Sequence, residues 1–257
     1  MKKHPVRFVG AGPGDPELIT VKGQRALAEA DLVVYAGSLV PEAVVQWAGN
    51  ARHENSAGMH LGDIVDVMAR AHEAGEKVVR LHSGDPSLYG AIAEQMVELE
   101  IGGIPYEVVP GITAAFAAAA ALTLEYTLPE VCQTIILTRM EGRTPVPELE
   151  NLESLAAHQA SMAVYLSSGL ADRVQPVLVR AYGADAPVVV AYRVSQPDQR
   201  LVWTTAAELA QTMETEGIDR QALIIAGRVL AERQKDFARS KLYDRTFSHG
   251  YRAGEDY

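Results

Sequence analysis

The chain has 257 residues, of which 48% are hydrophobic and 22% are charged. At about 100–200 residues per domain, this length predicts one large or two modest domains, and the composition excludes a disordered or disulfide-stapled chain. The 23 Lys and Arg residues against 33 Asp and Glu residues give a net charge of −10, which disfavours nucleic acid and anionic membranes as partners. The single cysteine, Cys132, cannot form an intrachain disulfide, and we expect it to be a buried apolar side chain in a reducing compartment.

No targeting or membrane segment is expected. The apolar run behind the amino terminus ends at Gly10, too early for a signal peptide. The most apolar later stretch, over residues 112–124, is shorter than the ~18–20 residues of a spanning helix. We therefore expect a cytoplasmic protein without a membrane partner.

The first half of the chain alternates strand patterns with helical patterns. Strands are predicted over residues 6–9, 32–35, 78–82 and 106–109, and helices over 21–30, 41–47, 61–74, 87–99 and from about 113. This alternation predicts a parallel sheet that is covered on both faces.

Strands follow one another more directly in the second half. They are predicted over residues 134–137, 162–166, 188–192, 201–204 and 223–225, with helices over 170–182 and 206–216. The predicted organisation is an α/β domain over 1–123, a second α/β domain with a mixed sheet over 129–230 and a polar tail over 231–257. The stretch 141–152 is predicted to be a long loop.

Two interpretations of the tail remain open. It is either a solvated end or a segment whose cations and rings order over a planar, acidic ligand. The side chains concerned are Arg239, Lys241, Tyr243, Arg245, Phe247, His249, Tyr251 and Arg252.

Three glycine-containing segments each follow a predicted strand and precede a predicted helix. They are GAGPGD at 10–15, SGDPSLY at 83–89 and PGITA at 110–114. Each one alone fits a capped turn, but together they gather at the carboxyl edge of a parallel sheet, where ligands of open α/β folds bind.

The first of these segments does not suit a nucleotide phosphate. Asp15 stands where a dinucleotide loop has its third glycine, and Pro13 removes a backbone N–H donor. No Lys-Ser or Lys-Thr pair completes a P-loop. Two acidic turns with little positive charge favour a cationic ligand whose hydroxyls or amines donate to Asp85.

Together with TRMEG at 138–142 and ALIIAG at 222–227, these motifs resemble the tetrapyrrole methylases, which use S-adenosylmethionine and release S-adenosylhomocysteine. The resemblance covers about residues 6–230. It implies two α/β domains with the active site in the cleft between them, a homodimer, and no metal site. The positions that match the family's methyl-donor site are Pro13, Ser83, Gly84, Asp85, Leu88, Thr113, Ala114, Leu166, Ala191, Tyr192, Ala222 and Leu223.

Finer segments resemble the branch of the family that methylates carbon C11 of precorrin-4, or its cobalt form, in corrin (cobalamin) biosynthesis. They are VVYAGSLV at 33–40, NSAGMHL at 55–61 and KLYDRTFSHGYR at 241–252. Members that act on uroporphyrinogen III typically have Asp at the position of Ala36 and Lys near Asn55, so we expect an already methylated corrin precursor. The candidate substrate-binding residues are Ser38, Ser56, Met59, Arg139, Arg143 and Arg193.

No catalytic side chain is predicted. Alignment of donor and acceptor contributes about 7–11 kcal/mol, more than the roughly 10²- to 10⁴-fold of one general base. His82, Asp85 and Tyr89 lie near the donor motif, and the His82 ring is expected to be hydrogen-bonded within its strand.

Other functions remain open. The acceptor could be uroporphyrinogen III, a different precorrin carbon, a diphthine precursor or ribosomal RNA. The chain could also be a non-catalytic S-adenosylmethionine-binding module, or an NAD-dependent oxidoreductase on the strength of its glycine loop alone.

Overall fold

The computed structural model describes residues 3–231 and 240–255, without the side chain of Lys241. The chain divides into two units. Unit 1 comprises Met1–Ala117 and Val194–Asp198, and unit 2 comprises Ala118–Arg193 and Gln199–Tyr257. The predicted tail lies partly outside the described residues, Arg239 included.

Unit 1 contains a five-stranded sheet in the order β3-β2-β4-β1-β5. Every neighbouring pair is parallel, with Gly10 opposite His82 and Val9 opposite Val109. Its elements are β1 (Val6–Gly10), α1 (Val21–Ala28), β2 (Leu32–Tyr35), α2 (Glu42–Val45), β3 (Arg52–Asn55), α3 (Leu61–Glu73), β4 (Val78–His82), α4 (Ile92–Ile101) and β5 (Tyr106–Val109). The predicted parallel sheet is confirmed.

Alternate side chains of these strands enter two separate cores, because successive residues of a strand point to opposite faces. Val9, Val33 and Leu81 pack on one face. Phe8 and Val34 pack on the other, together with residues of α3 and α4. Burial on both faces explains why the central strands, such as β2 with its sequence LVVY, appear in the sequence as mainly apolar runs.

Unit 2 contains a second five-stranded sheet, in the order β6-β7-β10-β8-β9. Only β6 and β7 pair in parallel, and the other three pairs are antiparallel, so the predicted mixed sheet is confirmed. Helix α5 (Ala114–Leu122) contains the division between the units; the elements that follow are β6 (Ile135–Arg139), α6 (Leu152–Ala156), β7 (Ser161–Tyr165), α7 (Ala171–Tyr182), β8 (Pro187–Tyr192), β9 (Arg200–Thr205), α8 (Leu209–Thr215) and β10 (Ala222–Ala226).

The core of unit 2 lies between one face of this sheet and helices α6, α7 and α8. Met162, Leu178 and Ile224 are fully buried there. Among the described residues, no helix is long and apolar enough to cross a membrane.

The described part of the tail folds on itself. Nη2 of Arg252 donates to the carbonyls of Leu242 at 2.9 Å and Asp244 at 2.7 Å. Tyr243 and Tyr251 are 81% and 100% exposed. The rings of Tyr243, Phe247 and Tyr251 therefore face solvent, while Arg252 closes the turn.

The helix predicted from residue 87 is wrong at its start, because α4 begins only at Ile92. Oδ1 of Asp85 accepts the Ser87 N–H at 2.8 Å and closes a turn there. Tyr89 and Ala91 then adopt left-handed backbone angles, with φ of 57° and 49°. Such residues interrupt a right-handed helix, so the Asp-Pro signal starts a turn and not the helix itself.

The expectation that Cys132 is a buried apolar side chain is also wrong. The thiol is partly exposed, donates to the carbonyl of Thr134 at 3.0 Å and accepts the Ser161 N–H at 3.1 Å. Burial raises the pKa of this thiol, but hydrogen bonding with Ser161 and the charge of Arg228 outweigh it and leave the pKa below its usual value.

Three glycines let the ends of β1, β4 and β5 meet at backbone distance. A Cβ on Gly10 would lie 2.5 Å from Cα of Gly111 and 2.7 Å from the carbonyl oxygen of Gly84. A Cβ on Gly111 would collide with the same carbonyl. Only hydrogen fits at Gly10 and Gly111, so the segments that follow the three strands are closely packed where they begin.

Gly111→Ala is expected to lower the free energy of unfolding by about 2–3 kcal/mol, because the backbone must move to admit a methyl group. Urea denaturation followed by circular dichroism measures this. Gly62→Ala is the matched control, because a Cβ at Gly62 in α3 would meet nothing within 4 Å. Equal midpoints for Gly111→Ala and the unaltered protein would contradict the steric argument.

Candidate functional site

Three loops come together at the carboxyl edge of the unit 1 sheet. The loop after β1 and the loop after β4 form an isolated antiparallel bridge between Gly12 and Gly84. The two N–H groups donate to the opposite carbonyls at 3.2 and 2.8 Å, and Ala11 donates to the His82 carbonyl at 2.7 Å. The predicted grouping of these motifs is therefore present in the structure.

Asp85 joins the second loop to the third. Its Oδ1 accepts the Ser87 N–H at 2.8 Å, and its Oδ2 accepts the Gly111 N–H at 2.9 Å. Each carboxylate oxygen is thus occupied by a backbone donor. Asp85 thereby holds the second and third loops together, and each of its oxygens keeps a lone pair for a further donor.

Asp15 has a similar local role in the first loop. Its Oδ1 accepts the Glu17 N–H at 2.8 Å and caps the short 3-10 helix Pro16–Leu18. The backbone N–H of Asp15 donates to Oγ of Ser195 at 3.1 Å. Sequence reasoning missed Ser195, because nothing local indicates that a residue so distant in the chain supports this loop.

The electrostatic character of the loops favours a cation. Residues 10–15, 83–88 and 110–114 contain two carboxylates and no Lys or Arg. Pro13 is buried, Ser83 is exposed, and Gly84, Asp85, Leu88, Thr113 and Ala114 are half-buried. The loops therefore offer a partly open surface made of backbone groups, small side chains and local negative charge.

The predicted donor residues of unit 2 lie at one edge of its sheet. Ala222 pairs with Tyr192, and Leu223 pairs with Ala191. Leu166 follows β7, which runs in the same direction as β8, and it is 68% exposed with a left-handed φ of 53°. An exposed leucine held in such a conformation differs from the core residue expected in any sheet.

The predicted substrate arginines differ in their surroundings. Arg139 donates to the carbonyls of Thr144 at 3.1 Å and Pro145 at 2.6 Å, so its guanidinium supports the following loop. Arg143 lies exposed in that loop. The Arg193 backbone N–H donates to the Gln221 carbonyl at 2.9 Å.

Comparison with known proteins shows the family. Residues 5–210 match the family described as Tetrapyrrole (Corrin/Porphyrin) Methylases. The chain belongs to this family. The family predicted from the three loop motifs is confirmed.

Relatives of this methylase align along nearly its whole length. The cobalt-precorrin-4 C(11)-methyltransferase of Methanocaldococcus jannaschii is 51% identical over 249 residues, covering 96% of this chain and 95% of the relative. The precorrin-4 C(11)-methyltransferase of Pseudomonas aeruginosa is 48% identical, covering 97% of this chain and 99% of the relative.

Solved structures of tetrapyrrole methylases share the fold. The X-ray structure of a cobalamin biosynthetic enzyme, cobalt precorrin-4 methyltransferase, has a TM-score of 0.85 and 48% identity, covering 88% of this chain and 95% of its own. A uroporphyrin-III C-methyl transferase from Thermus thermophilus, complexed with S-adenyl homocysteine, has a TM-score of 0.75 and 29% identity, covering 89% of this chain and 99% of its own.

The methylase also has a buried polar network below the loop edge that sequence reasoning missed. Arg80 donates from Nε to Oε1 of Gln95 at 3.0 Å, and from Nη1 to the Val34 carbonyl at 3.2 Å and to Oγ of Ser56 at 3.0 Å. Burial lowers the pKa of Arg80 to about 10, so the side chain is charged at neutral pH. An arginine inside the apolar strand VVRLH is the signal that could have indicated this network.

His82 lies two residues further along the same strand of the methylase. Its Nε2 atom is buried and has no hydrogen-bond partner among the described residues. The expectation of a hydrogen-bonded ring is therefore wrong. Burial, and then the charge of Arg80, lower the pKa of His82 to about 3. The imidazole is therefore neutral at pH 7 and a weak base.

In His82→Phe, the free energy of unfolding is expected to fall less steeply than in the unaltered protein as the pH is lowered below 6.5. In the folded methylase His82 takes up its proton only near pH 3, whereas the unfolded chain takes it up near pH 6.5. The stability from this group is therefore present above pH 6.5 and is lost as the pH falls towards 3, by up to about 1.4 kcal/mol per pH unit. His158→Phe, at an exposed histidine, is the control.

Urea denaturation at intervals between pH 4 and 7 measures the free energy of unfolding of each variant and of the unaltered protein. Parallel pH profiles for His82→Phe and the unaltered protein would show that His82 binds its proton equally in both states.

Proposed function

We propose that this protein transfers a methyl group from S-adenosylmethionine to carbon C11 of precorrin-4 or its cobalt form in cobalamin biosynthesis. The observation that carries the proposal is the similarity, over 96% and 97% of the chain, to two relatives named for this reaction. The chain also lacks, at Ala36 and near Asn55, the Asp and Lys that are typical of family members acting on uroporphyrinogen III, which agrees with an already methylated acceptor.

The loops of unit 1 fit a sulfonium donor. S-adenosylmethionine carries a positive charge at the sulfur that releases the methyl group, and the three loops hold carboxylates but no Lys or Arg. The packed glycines at their base leave no space for a side chain between the strand ends. The proposed donor-binding residues are Pro13, Ser83, Gly84, Asp85, Leu88, Thr113 and Ala114 of unit 1 and Leu166, Ala191, Tyr192, Ala222 and Leu223 of unit 2.

Binding and orientation are the main tasks of the chain's own residues. Holding two reactants in a near-attack geometry contributes about 7–11 kcal/mol of barrier lowering. His82 is not suited to take up a proton near pH 7, because its pKa lies near 3. Asp85 has both oxygens engaged by backbone N–H groups. We therefore assign no general base, and the electron-rich macrocycle supplies the nucleophilic carbon.

The acceptor bears acetate and propionate carboxylates, so cations must be concentrated locally on a protein of net charge −10. Arg143 and Arg193 are the proposed carboxylate-binding residues, with Ser38, Ser56 and Met59 on the acceptor side. Arg139 contributes by ordering the loop that carries Arg143, because its guanidinium binds the Thr144 and Pro145 carbonyls. We further propose that the protein is a cytoplasmic homodimer that has no nucleic-acid or membrane partner.

Isotopically labelled methyl transfer tests the function. Labelled S-adenosylmethionine is incubated with uroporphyrinogen III, precorrin-3 and precorrin-4, with and without cobalt, and the products are analysed by mass spectrometry and NMR. Label at C11 of precorrin-4, or of its cobalt form, is the expected result. Label on another tetrapyrrole or carbon would contradict the acceptor, and donor binding without any transfer would favour a non-catalytic binding module.

Asp85→Asn is expected to weaken S-adenosylmethionine binding about tenfold, measured by isothermal titration calorimetry. An asparagine retains one acceptor oxygen, so its NH₂ group would face the N–H of either Ser87 or Gly111 and leave that donor unsatisfied. Asp66→Asn in α3, at an exposed carboxylate, is the matched control. Unchanged affinity in Asp85→Asn would show that the link between the second and third loops is not needed for the donor.

A further inference from the structure

The carboxyl edge of the unit 1 sheet has two halves. The three loops proposed to bind the donor follow β4, β1 and β5, which are adjacent in the strand order β3-β2-β4-β1-β5. The other half follows β2 and β3 and carries residues 36–40 and 56–60. Ser38, Leu39, Ala57 and Gly58 are exposed there, so this half offers an exposed surface next to the donor loops.

Side chains fix the backbone of this second half. Oδ1 of Asn55 accepts the N–H groups of Gly37 and Ala57, each at 3.0 Å. Oγ of Ser56 donates to the Tyr35 carbonyl at 3.1 Å. The loops after β2 and β3 are therefore tied to each other by Asn55 and Ser56.

Arg80, inside the sheet, binds the segment that carries this pair of loops. It lies on β4, the strand that leads into the Ser83–Gly84–Asp85 turn. Its guanidinium holds the Val34 carbonyl on β2 and Oγ of Ser56, while Nε holds Gln95 in α4. Ser56 thus donates to Tyr35 and accepts from Arg80, so the position of its loop depends on both strands.

Stability alone does not account for this arginine. Arg80 is 6% exposed, and none of the carboxylates in the described ranges forms an ion pair with it. A buried cation costs several kcal/mol of desolvation, and apolar replacements of similar volume are often neutral or stabilising. Its fork of hydrogen bonds instead fixes the relative positions of three segments, which is a geometric role.

We propose that Arg80 is a positioning residue for the tetrapyrrole acceptor, acting through Ser56 on the loops after β2 and β3. The inference rests on the proposed function, because the loops after β4, β1 and β5 are taken as the donor side. The side-chain hydrogen bonds of Arg80 go to Gln95, Val34 and Ser56 and not to residues 10–15, 83–88 or 110–114, so a change at Arg80 is expected to act on the acceptor side.

Steady-state kinetics of Ser56→Ala and Arg80→Lys test this proposal, with KM measured separately for precorrin-4 and for S-adenosylmethionine. The KM for precorrin-4 is expected to rise about fivefold in Ser56→Ala, which loses two hydrogen bonds, the one to the Tyr35 carbonyl and the one from Arg80. It is expected to rise about thirtyfold in Arg80→Lys, because a lysine cannot hold Val34, Ser56 and Gln95 at once. The KM for S-adenosylmethionine is expected to stay within about twofold of its original value.

Arg52→Lys is the matched control. Arg52 lies on β3 of the same sheet, but it is exposed and pairs with Glu54 and Glu76. Neither KM is expected to change in this variant. Hydrogen exchange of the Ser56→Ala and Arg80→Lys proteins is expected to speed up at the amides of residues 37–40 and 57–59 and to stay unchanged at Gly12 and Gly84.

The outcomes separate this inference from the function on which it rests. An unaltered protein that does not methylate precorrin-4 overturns the proposed function and the inference with it. An active unaltered protein whose variants keep the KM for precorrin-4, or lose affinity for both substrates equally, overturns the inference alone.

Discussion

The contact of three glycines at the ends of β1, β4 and β5 is the constraint on which the site depends. Gly10, Gly84 and Gly111 approach so closely that a single methyl group cannot be added at Gly10 or Gly111 without moving the backbone. This approach brings the Gly111 N–H within reach of Asp85 and lets Gly12 and Gly84 form their bridge. Without it, the three loops would end at the same sheet edge but would not form a continuous surface.

Charge is distributed in an unusual way around this edge. Asp15 and Asp85 use their carboxylates to bind backbone N–H groups, so the negative charges of the loops after β1 and β4 also hold these loops in place. Arg80 lies below the other half and remains positive without a carboxylate partner among the described residues. The two halves of one sheet edge therefore differ in the sign of their charge, within a protein whose net charge is −10.

The parts of the fold that sequence predicts well are those with continuous local signals. The apolar strands of unit 1 and the three glycine motifs were located because burial on both faces and tight turns each leave contiguous patterns. Strand β3 was missed because its sequence, RHEN, is polar at the edge of the sheet. The start of α4 was misplaced because an Asp-Pro pair can begin a helix or only a turn.

The network around Arg80 could not be predicted from the sequence. Its partners Gln95 and Ser56 lie 15 and 24 residues away in the chain, and no periodicity connects them. Ser195, which supports the loop after β1 from 180 residues away, is a similar case. Such contacts depend on the tertiary arrangement, whereas the family resemblance identified Ser56 only as a position and not through its contacts.

The strand order of unit 1 also affects how the protein forms during synthesis. Strand β1 leaves the ribosome before its partners β4 and β5, with which Val9 pairs at Leu81 and Val109. The apolar side chains of β1 must therefore wait while the intervening chain is made, at about 5–20 residues per second. Because long-range parallel pairing is slow, the nascent chain has a period in which Phe8 and Val9 are uncovered, and chaperones that bind short apolar segments would act at that stage.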